Sequence, residues 1–403
     1  PETPSISQED WQAIVNYYTR NAPSKPTPQK KKEAISLEAF HFKVEEYLTP
    51  KDLIAGVTSI KIHPTKPEVW VGMRTHQTVV LDANLKAKDQ FETRSSNVST
   101  QFVGPRTFLT GIGKMYPNDQ KLGTMYELLG RKATPLLDSL KRPVDLQVAD
   151  LNEDRILDYV ICEYGFEQGQ LIWVDGKTKE KHPLKMQAGA RNVVIRDFTG
   201  EGKPDLMVLT AQSREGVSLF INKGKGAFIE KPLLQFDAVF GSSYLEVADM
   251  NKDGYADIIV SNGDNADYSF SKKAFHGVHI FLNDRRNNFK ESYFFPAYGA
   301  SKTIARDFDQ DGDLDMAMIA FFAENDKGKN EGFLYFQNQG NMTFKVSNLG
   351  IPEGPHYIVM DAGDVDKDGD IDILLGNYQF GKRKPGEHTP PGLQMHYVKN
   401  LLR

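Results

Sequence analysis

The chain reads Asp307-Phe-Asp309-Gln-Asp311-Gly312-Asp313-Leu-Asp315, an acidic loop that runs straight into apolar residues. Four further copies of this loop begin at Asp150, Asp197, Asp249 and Asp364, so the pattern recurs about every 50 residues. Apolar β-type segments flank each copy, and a repeat of this period is typical of a propeller or a similar array. The sequence therefore predicts an all-β repeat fold.

The loop pattern also suits a metal ion. Carboxylates at alternate positions of a tight loop converge on one point, and the glycine allows the sharp turn that brings in a backbone carbonyl. Hard oxygen ligands in this number suit Ca²⁺. An EF-hand is excluded, because its position-12 glutamate is replaced here by Val260, Met318 or Leu375 and the flanks are not helical. A metal-free loop of ordinary turn residues is the alternative.

We expect each site to use positions 1, 3, 5, 7 and 9 of its loop, position 7 through the backbone. The three loops that match the pattern best contain Asp249, Asn251, Asp253, Tyr255 and Asp257; Asp307, Asp309, Asp311, Asp313 and Asp315; and Asp364, Asp366, Asp368, Asp370 and Asp372. The two degraded loops contain Asp150, Asn152, Asp154, Ile156 and Asp158; and Asp197, Thr199, Glu201, Lys203 and Asp205. Arg155 stands where glycine is expected, and Thr199 and Glu201 weaken the other loop, so calcium binding at these two is left open.

A second signature follows the loops, an apolar strand that ends in Asn and a turn closed by Phe. It occurs at 219–228, 280–289 and 334–344. Each unit then supplies four antiparallel strands, which is a propeller blade. Two degenerate units without the acidic loop, at 59–72 and 106–115, are expected to be metal-free and bring the number of blades to seven.

These motifs resemble the FG-GAP/VCBS repeat family of calcium-loop β-propellers. The resemblance covers residues 142–400 strongly and 50–130 weakly. It implies the fold and Ca²⁺ but no single activity, because the family includes adhesion modules, lectin-like binders, polysaccharide lyases and sugar dehydratases.

The ends of the chain indicate how the ring closes. The last unit lacks a fourth strand, so we expect residues 37–44, with Phe40, Phe42 and Val44 alternating, to supply it and remove an exposed edge. Residues 33–403 then form the propeller, and residues 1–32 form a helix and a Pro/Lys-rich linker.

The predicted N-terminal helix has Ser7 as its N-cap and Trp11, Ile14 and Tyr18 on one face. It resembles the closing helix of a class I cytochrome c, but the haem-attaching CxxCH is absent, so no haem is carried over to this chain. A haem domain ahead of residue 1 is one explanation, and a helix that caps the propeller is the other.

The composition fits one large core, with 403 residues of which 39% are hydrophobic. The net charge of −5 gives no sign of nucleic-acid binding, and Cys162 is the only cysteine. No apolar run reaches the length of a membrane span. Weak calcium loops suit millimolar Ca²⁺ outside the cytosol. We therefore expect a periplasmic, cell-surface or secreted protein.

Long insertions at 262–277, 323–332 and 377–392 are expected on the face opposite the calcium loops, where rigid scaffolds often carry function. Their aromatic side chains could stack on sugars or anchor a protein, or simply cover the top of the ring. The candidate ligand contacts are Tyr268, Phe270, Tyr378 and Phe380, and the residues within or directly beside the same insertions include Phe275, His276, Phe321, Phe322, Arg383 and His388.

Alignment of the innermost strands places Arg142, Arg191, Ser243, Lys302 and His356 at their starts. The four cationic or titratable members could hold an anion at one channel mouth, or could pair with neighbouring acids such as Asp145 and Glu246. Two functions remain open. One is a calcium-stabilised module that binds a glycan or a protein partner within a surface or periplasmic complex. The other is a lyase or dehydratase acting on an acidic or oxidised sugar.

Overall fold

The computed structural model describes residues 6–22, 27–30, 33–49, 54–212, 214–264, 273–323, 330–380 and 392–402. Their strands form seven separate sheets, each built on four antiparallel strands, and these are the blades of a β-propeller. The predicted seven-bladed fold is therefore confirmed. Helix α1 (Gln8–Asn21) precedes the strands. No helix in these ranges is both long and apolar enough to cross a membrane.

Two short strands lead into the blades, β1 (Ile35–Ser36) and β2 (Phe42–Leu48). Blades 1 and 2, which lack acidic loops, contain β3 (Val57–Ile62), β4 (Glu68–Met73), β5 (Gln77–Asp82), β6 (Ala87–Glu92), β7 (Asn97–Val103), β8 (Arg106–Gly111), β9 (Gly123–Leu129) and β10 (Lys132–Leu140).

The other five blades carry an acidic loop between their first and second strands. Blades 3 and 4 contain β11 (Pro143–Ala149), β12 (Asp158–Glu163), β13 (Gln170–Val174), β14 (Lys181–Lys185), β15 (Ala190–Arg196), β16 (Asp205–Thr210), β17 (Gly216–Asn222) and β18 (Phe228–Gln235). Blades 5 to 7 contain β19 (Ser242–Ala248), β20 (Asp257–Asn262), β21 (Gly277–Asn283), β22 (Phe289–Pro296), β23 (Ala300–Arg306), β24 (Asp315–Ala320), β25 (Phe333–Asn338), β26 (Phe344–Ser347), β27 (Tyr357–Gly363), β28 (Asp372–Asn377) and β29 (Leu393–Asn400).

The N-terminal segment closes the ring, as the sequence predicted. Strand β2 pairs antiparallel with β29, with Val44 opposite Val398, and completes blade 7. The closing strand begins at Phe42 rather than near residue 37, because Phe40 has a left-handed φ of 52° and breaks the extended run. Strand β1 adds a fifth, parallel strand to the outer edge of blade 6. One segment therefore ties blades 6 and 7 together.

The core lies between consecutive blades. Ile304 of blade 6 packs with Met360 and Ile373 of blade 7, and Ile60 of blade 1 packs with Leu374 of blade 7. The second strand of each acidic-loop blade is buried at every position, since a neighbouring blade covers each face. This burial explains why apolar residues follow each acidic loop without alternation.

Helix α1 begins as predicted, with the Ser7 side chain accepting a hydrogen bond from the Asp10 N–H. Its apolar side chains are not covered, since Trp11 is 58% exposed and Tyr18 is 68% exposed. The interpretation of this helix as a cap packed on the propeller is therefore not seen in the structure.

Candidate metal loops and channel mouth

The acidic loops and the channel mouth occupy opposite faces of the ring. Each innermost strand begins at the mouth and ends directly before the first aspartate of its loop, as β23 does before Asp307. A strand of seven residues spans about 20 Å. The two candidate sites are thus separated by the thickness of the propeller.

All five loops share one backbone shape. Position 4 has a positive φ in every loop, and so does position 6, including the non-glycine residue Arg155 at 68°. N–H groups of each loop donate to the carboxylate at position 1, as the Gly254 N–H does to Asp249 at 2.8 Å. The degraded loops at Asp150 and Asp197 are therefore folded in the same way as the others.

The ninth aspartate has a structural role that the sequence did not reveal. Asp372 is buried and accepts hydrogen bonds from the N–H groups of Val365, inside the loop, and Asn400, at the end of β29. Equivalent bonds run to Asp158 from Leu151 and Gly176, to Asp205 from Phe198 and Asn222, to Asp257 from Met250 and Asn283, and to Asp315 from Asn338. We call this arrangement the aspartate clamp. The asparagine that ends each third strand in blades 4 to 7 has a further role, because its Nδ2 donates to the carbonyl of the residue before the ninth aspartate.

The loops differ in how the first carboxylate is used. Both oxygens of Asp150 accept backbone N–H groups, Oδ1 from Glu153 and Asp154 and Oδ2 from Arg155. Asp197 is capped in the same way. In Asp307 and Asp364 only Oδ2 accepts a glycine N–H, and Oδ1 is buried without a hydrogen-bond partner. In blades 6 and 7 the Oδ1 of the first aspartate is therefore without a hydrogen-bond donor, whereas in blades 3 and 4 backbone N–H groups donate to it.

In blade 7 the remaining oxygens fit a cation. Oxygens of Asp364, Asp366 and Asp372 lie within 4.8 Å of one another. One oxygen each of Asp364 and Asp366, and both oxygens of Asp370, are buried without a hydrogen-bond partner. Burial and the neighbouring Asp368 raise the pKa of Asp370 to about 7. Buried carboxylates are costly unless positive charge compensates them, and Lys399, which pairs with Asp366, is a single positive charge beside several carboxylates.

Blade 6 holds a similar cluster of Asp307, Asp309 and Asp311. Burial raises the pKa of the clamping residue, Asp315, to about 7. The Asp249 loop is intermediate, because both oxygens of Asp249 are capped and Arg285 lies 3.2 Å from Asp253. The sequence ranked this loop with the best two, but the structure brings together acidic clusters only in blades 6 and 7, within the described residues.

In the degraded loops, protein groups engage the remaining candidate ligands. Asn152 donates to Asp175, Thr199 donates to its own clamping residue Asp205, and Glu201 pairs with Lys223.

Position 7 has the same backbone hydrogen bond in four of the loops. The N–H groups of Ile156, Tyr255, Asp313 and Asp370 donate to the position-5 carboxylates Asp154, Asp253, Asp311 and Asp368. The side chain of Asp313 is paired with Lys252.

A β-bulge marks the start of every innermost strand. In each blade the pairing register shifts across the second residue of the strand. Bulges re-aim side chains, and these seven residues, one from each blade, line a single cavity of about 230 Å³ at the channel mouth. They are Thr58, Val98, Val144, Arg191, Ser243, Ser301 and Ile358.

The four predicted cationic or titratable residues do not form one ring. Arg142 and Arg191 line the cavity, but Lys302 is the third residue of its strand and lies deeper, with its amine 4.6 Å from the centre of the Tyr244 ring. Burial lowers the pKa of Lys302, while Asp361 and Glu246 partly offset this effect. The Nδ1–H of His356 donates a 3.0 Å hydrogen bond to the Phe321 carbonyl. The sequence did not show that a bulge aims the second residue of each strand into the cavity, a position that Arg191 and Ser301 share and Lys302 does not.

The insertions meet the mouth where the structure describes them. Phe321, Phe322 and Phe380 line the cavity, and Phe380 is 52% exposed. Tyr378 is buried instead, with the Arg74 guanidinium 4.9 Å from its ring centre. Tyr116, from a connection in blade 2 that the sequence did not single out, lies 6.3 Å from Phe380. Tyr268, Phe270, Arg383 and His388 lie outside the described residues.

Comparison with known proteins supports the fold. The model of the FG-GAP-like repeat matches residues 197–260 and 307–375, and both matches begin at the first aspartate of an acidic loop. No curated protein matches the chain in sequence. Repeats of this class often bind calcium, and the two carboxylate clusters could hold a metal ion.

Solved structures share the architecture at low sequence identity. Hydrazine synthase of Kuenenia stuttgartiensis is 11% identical with a TM-score of 0.50, over 82% of this chain and 96% of that one. The Pan2 WD40 domain of Neurospora crassa is 9% identical with a TM-score of 0.55, over 92% and 97%. At these identities the likeness concerns the fold alone. The chain is a seven-bladed β-propeller built with FG-GAP-like repeats.

Proposed function

We propose that this chain is a calcium-stabilised binding module that takes a glycan or a protein partner at its channel mouth. One observation carries the proposal: all seven blades contribute a bulged residue to the same cavity. Propeller ligands need a rigid concave site with few polar groups, and a cavity built from every blade provides one. The aromatic rim at Phe380 and Tyr116 extends the contact surface outwards.

Calcium has a supporting role in this proposal. Asp307, Asp309 and Asp311 in blade 6, and Asp364, Asp366, Asp370 and Asp372 in blade 7, would hold the ions. Bound Ca²⁺ would neutralise buried carboxylates that otherwise repel one another and would stabilise the folded state by mass action. Millimolar Ca²⁺ is found outside the cytosol, so a periplasmic, cell-surface or secreted location belongs to the same proposal.

A catalytic role has less support than binding. His279 is bonded to Glu291 and to the Phe275 carbonyl, and His396 is buried against the Tyr357 hydroxyl. Among the described residues that line the cavity there is no histidine, and the only carboxylate is that of Asp264. Binding is the function that this lining supports best.

The test is a binding screen of the purified chain, in Ca²⁺, against panels of glycans and peptides. Val98→Trp would fill the cavity from one bulge, and Ile229→Trp, at an exposed position of β18, is the matched control. We expect Val98→Trp to abolish binding and Ile229→Trp to leave it unchanged. If a ligand bound both variants as tightly as it binds the wild type, that result would contradict a site at the mouth.

A further inference from the structure

The cavity contains one cation whose donors are open. The Arg191 guanidinium makes no hydrogen bond or ion pair with any described residue, although it lines the mouth. Arg142, its neighbour, donates to the carbonyls of Gly165 and Met115. Asp145 attracts Arg191, but its oxygens accept the Val193 N–H and the Ser99 hydroxyl instead. A guanidinium with open donors favours a planar anion such as a carboxylate.

The rest of the lining is largely apolar. The cavity that Arg191 lines is also lined by Val98, Ile112, Met115, Ile358, Phe321 and Phe380. An apolar group of the ligand would bury its surface against these side chains at about 25 cal/mol for each Å² removed from water. The site therefore combines one charge contact with an apolar pocket.

The hydroxyl groups of the lining distinguish a peptide from a sugar. Thr58 donates to the Asn97 carbonyl, Ser243 to the Gly241 carbonyl and Ser301 to the Ile319 carbonyl. Their protons are committed, so they offer acceptors but not donors to a ligand. A sugar would bury several hydroxyls with few matched partners, which is costly. A hydrophobic side chain carries no such cost.

Size and charge narrow the ligand further. A volume of about 230 Å³ is below the roughly 300 Å³ at which pockets for drug-sized ligands begin. The cavity therefore has room for one large side chain and one carboxylate group. Arg191 offers one guanidinium fork, which matches a single carboxylate.

Building on the function proposed above, we infer that the mouth binds a peptide with a single carboxylate next to a large apolar side chain. A C-terminal apolar residue carries both groups itself, its α-carboxylate and its side chain. In an internal segment the two groups come from two residues, an Asp or Glu beside a Leu or Phe. Arg191 pairs with the carboxylate, and the apolar walls take the side chain.

The experiment measures dissociation constants for four ligands: a peptide with a free C-terminal Phe, the same peptide with a C-terminal amide, a peptide with internal Asp-Phe, and a uronate oligosaccharide. The proteins are wild type, Arg191→Gln, Arg191→Lys and the control Lys290→Gln, which removes an exposed positive charge from β22. Thermal melts confirm that all four proteins are folded.

We expect the free peptide or the internal Asp-Phe peptide to bind, and Arg191→Gln to weaken that binding about 10- to 100-fold, as loss of a charged hydrogen bond does. Arg191→Lys should be intermediate, because it keeps the charge but loses the fork. Loss of binding on amidation assigns a chain end, and binding of the internal peptide assigns a side-chain carboxylate. Mouth-dependent binding of the uronate alone would overturn this inference but keep the proposed function. Absence of any binding that depends on the mouth would overturn both.

Discussion

The acidic loops of blades 3 and 4 and those of blades 6 and 7 have the same backbone shape and the same aspartate clamp. Besides their sequences, they differ in how the Oδ1 of the first aspartate is used. In Asp150 and Asp197 this oxygen accepts N–H groups of its own loop, whereas in Asp307 and Asp364 it is buried without a partner. Turn hydrogen bonds are common to all these loops, and we expect the capacity of a loop for metal to depend on which carboxylate oxygens those bonds leave without a partner.

Removal of calcium should change the stability of the protein more than any of the substitutions below. A site filled at 100 times its Kd stabilises the folded state by about 2.7 kcal/mol, so two sites contribute about 5 kcal/mol. We expect the Tm to fall on addition of EGTA and to recover with Ca²⁺ but not with Mg²⁺, which resists crowded many-oxygen sites. An EGTA-insensitive melt without bound metal would refute the calcium assignment.

A matched pair of variants assigns that effect to particular loops. Asp307→Asn replaces the buried oxygen with an amide group but can still cap Gly312, and calorimetry should show one calcium ion fewer. Asp150→Asn removes one cap in blade 3, which costs about 1 kcal/mol and leaves the calcium stoichiometry unchanged. Equal losses of calcium in the two variants would remove the distinction between the loops.

Loss of the clamp should cost the same stability in a loop expected to bind calcium as in one that is not. Asp372→Ala removes the acceptor of the Val365 and Asn400 N–H groups and of the Tyr397 hydroxyl. Asp205→Ala does the same to the N–H groups of Phe198, Thr199 and Asn222 and to the Thr199 hydroxyl. At 1–3 kcal/mol for each orphaned donor, both variants should lose about 4 kcal/mol in EGTA. Urea denaturation checks this. A loss confined to Asp372→Ala would show that the ninth aspartate acts mainly through metal.

Much of this architecture could be predicted from the sequence, since repeat spacing, apolar strands and the missing fourth strand of the last unit are all local patterns. The loops were found because their residues are contiguous. Asp249 was ranked with Asp307 because the letters alone do not show that backbone N–H groups cap both of its oxygens. The clamp was missed because it joins Asp372 to Asn400, which lie on different strands.

The mouth was harder to predict for a related reason. In both β15 and β23 the bulge aims the second residue at the cavity, so Arg191 faces it, while Lys302, one residue further along its strand, lies deeper. Whether an arginine is engaged depends on carbonyls from other blades, as with Arg142 and Met115. Neither property is written in the local sequence.

Acid should destabilise the ring independently of calcium, and this effect must be separated from the loop comparison. Burial lowers the pKa of His396 from 6.5 to about 4. The unfolded chain takes up this proton more readily, so the contribution of His396 is complete above pH 6.5 and is lost as the pH falls towards 4, by about 3 kcal/mol at most. Glu46, 3.8 Å away, reduces the effect.

The comparison of wild type with His396→Gln in EGTA isolates this contribution. The raised pKa values of Asp315 and Asp370 act in the opposite direction and are common to both proteins. The variant should lose less stability than wild type between pH 6.5 and 4.5. Parallel pH profiles would exclude His396 as the acid-sensitive group.

The smallest expected effect concerns Arg155, which has a φ of 68° where the other four loops have glycine. A left-handed conformation strains a side chain with a Cβ, so Arg155→Gly relieves strain but also gives the unfolded chain more freedom. The net gain should be about 0.5 kcal/mol in urea denaturation. Because the backbone N–H at position 6 would still cap Oδ2 of Asp150 and the Glu153 and Asp154 N–H groups would still cap Oδ1, the variant should bind no additional calcium. A new calcium ion in Arg155→Gly would mean that the glycine, and not the uncapped oxygen, distinguishes the metal-binding loops.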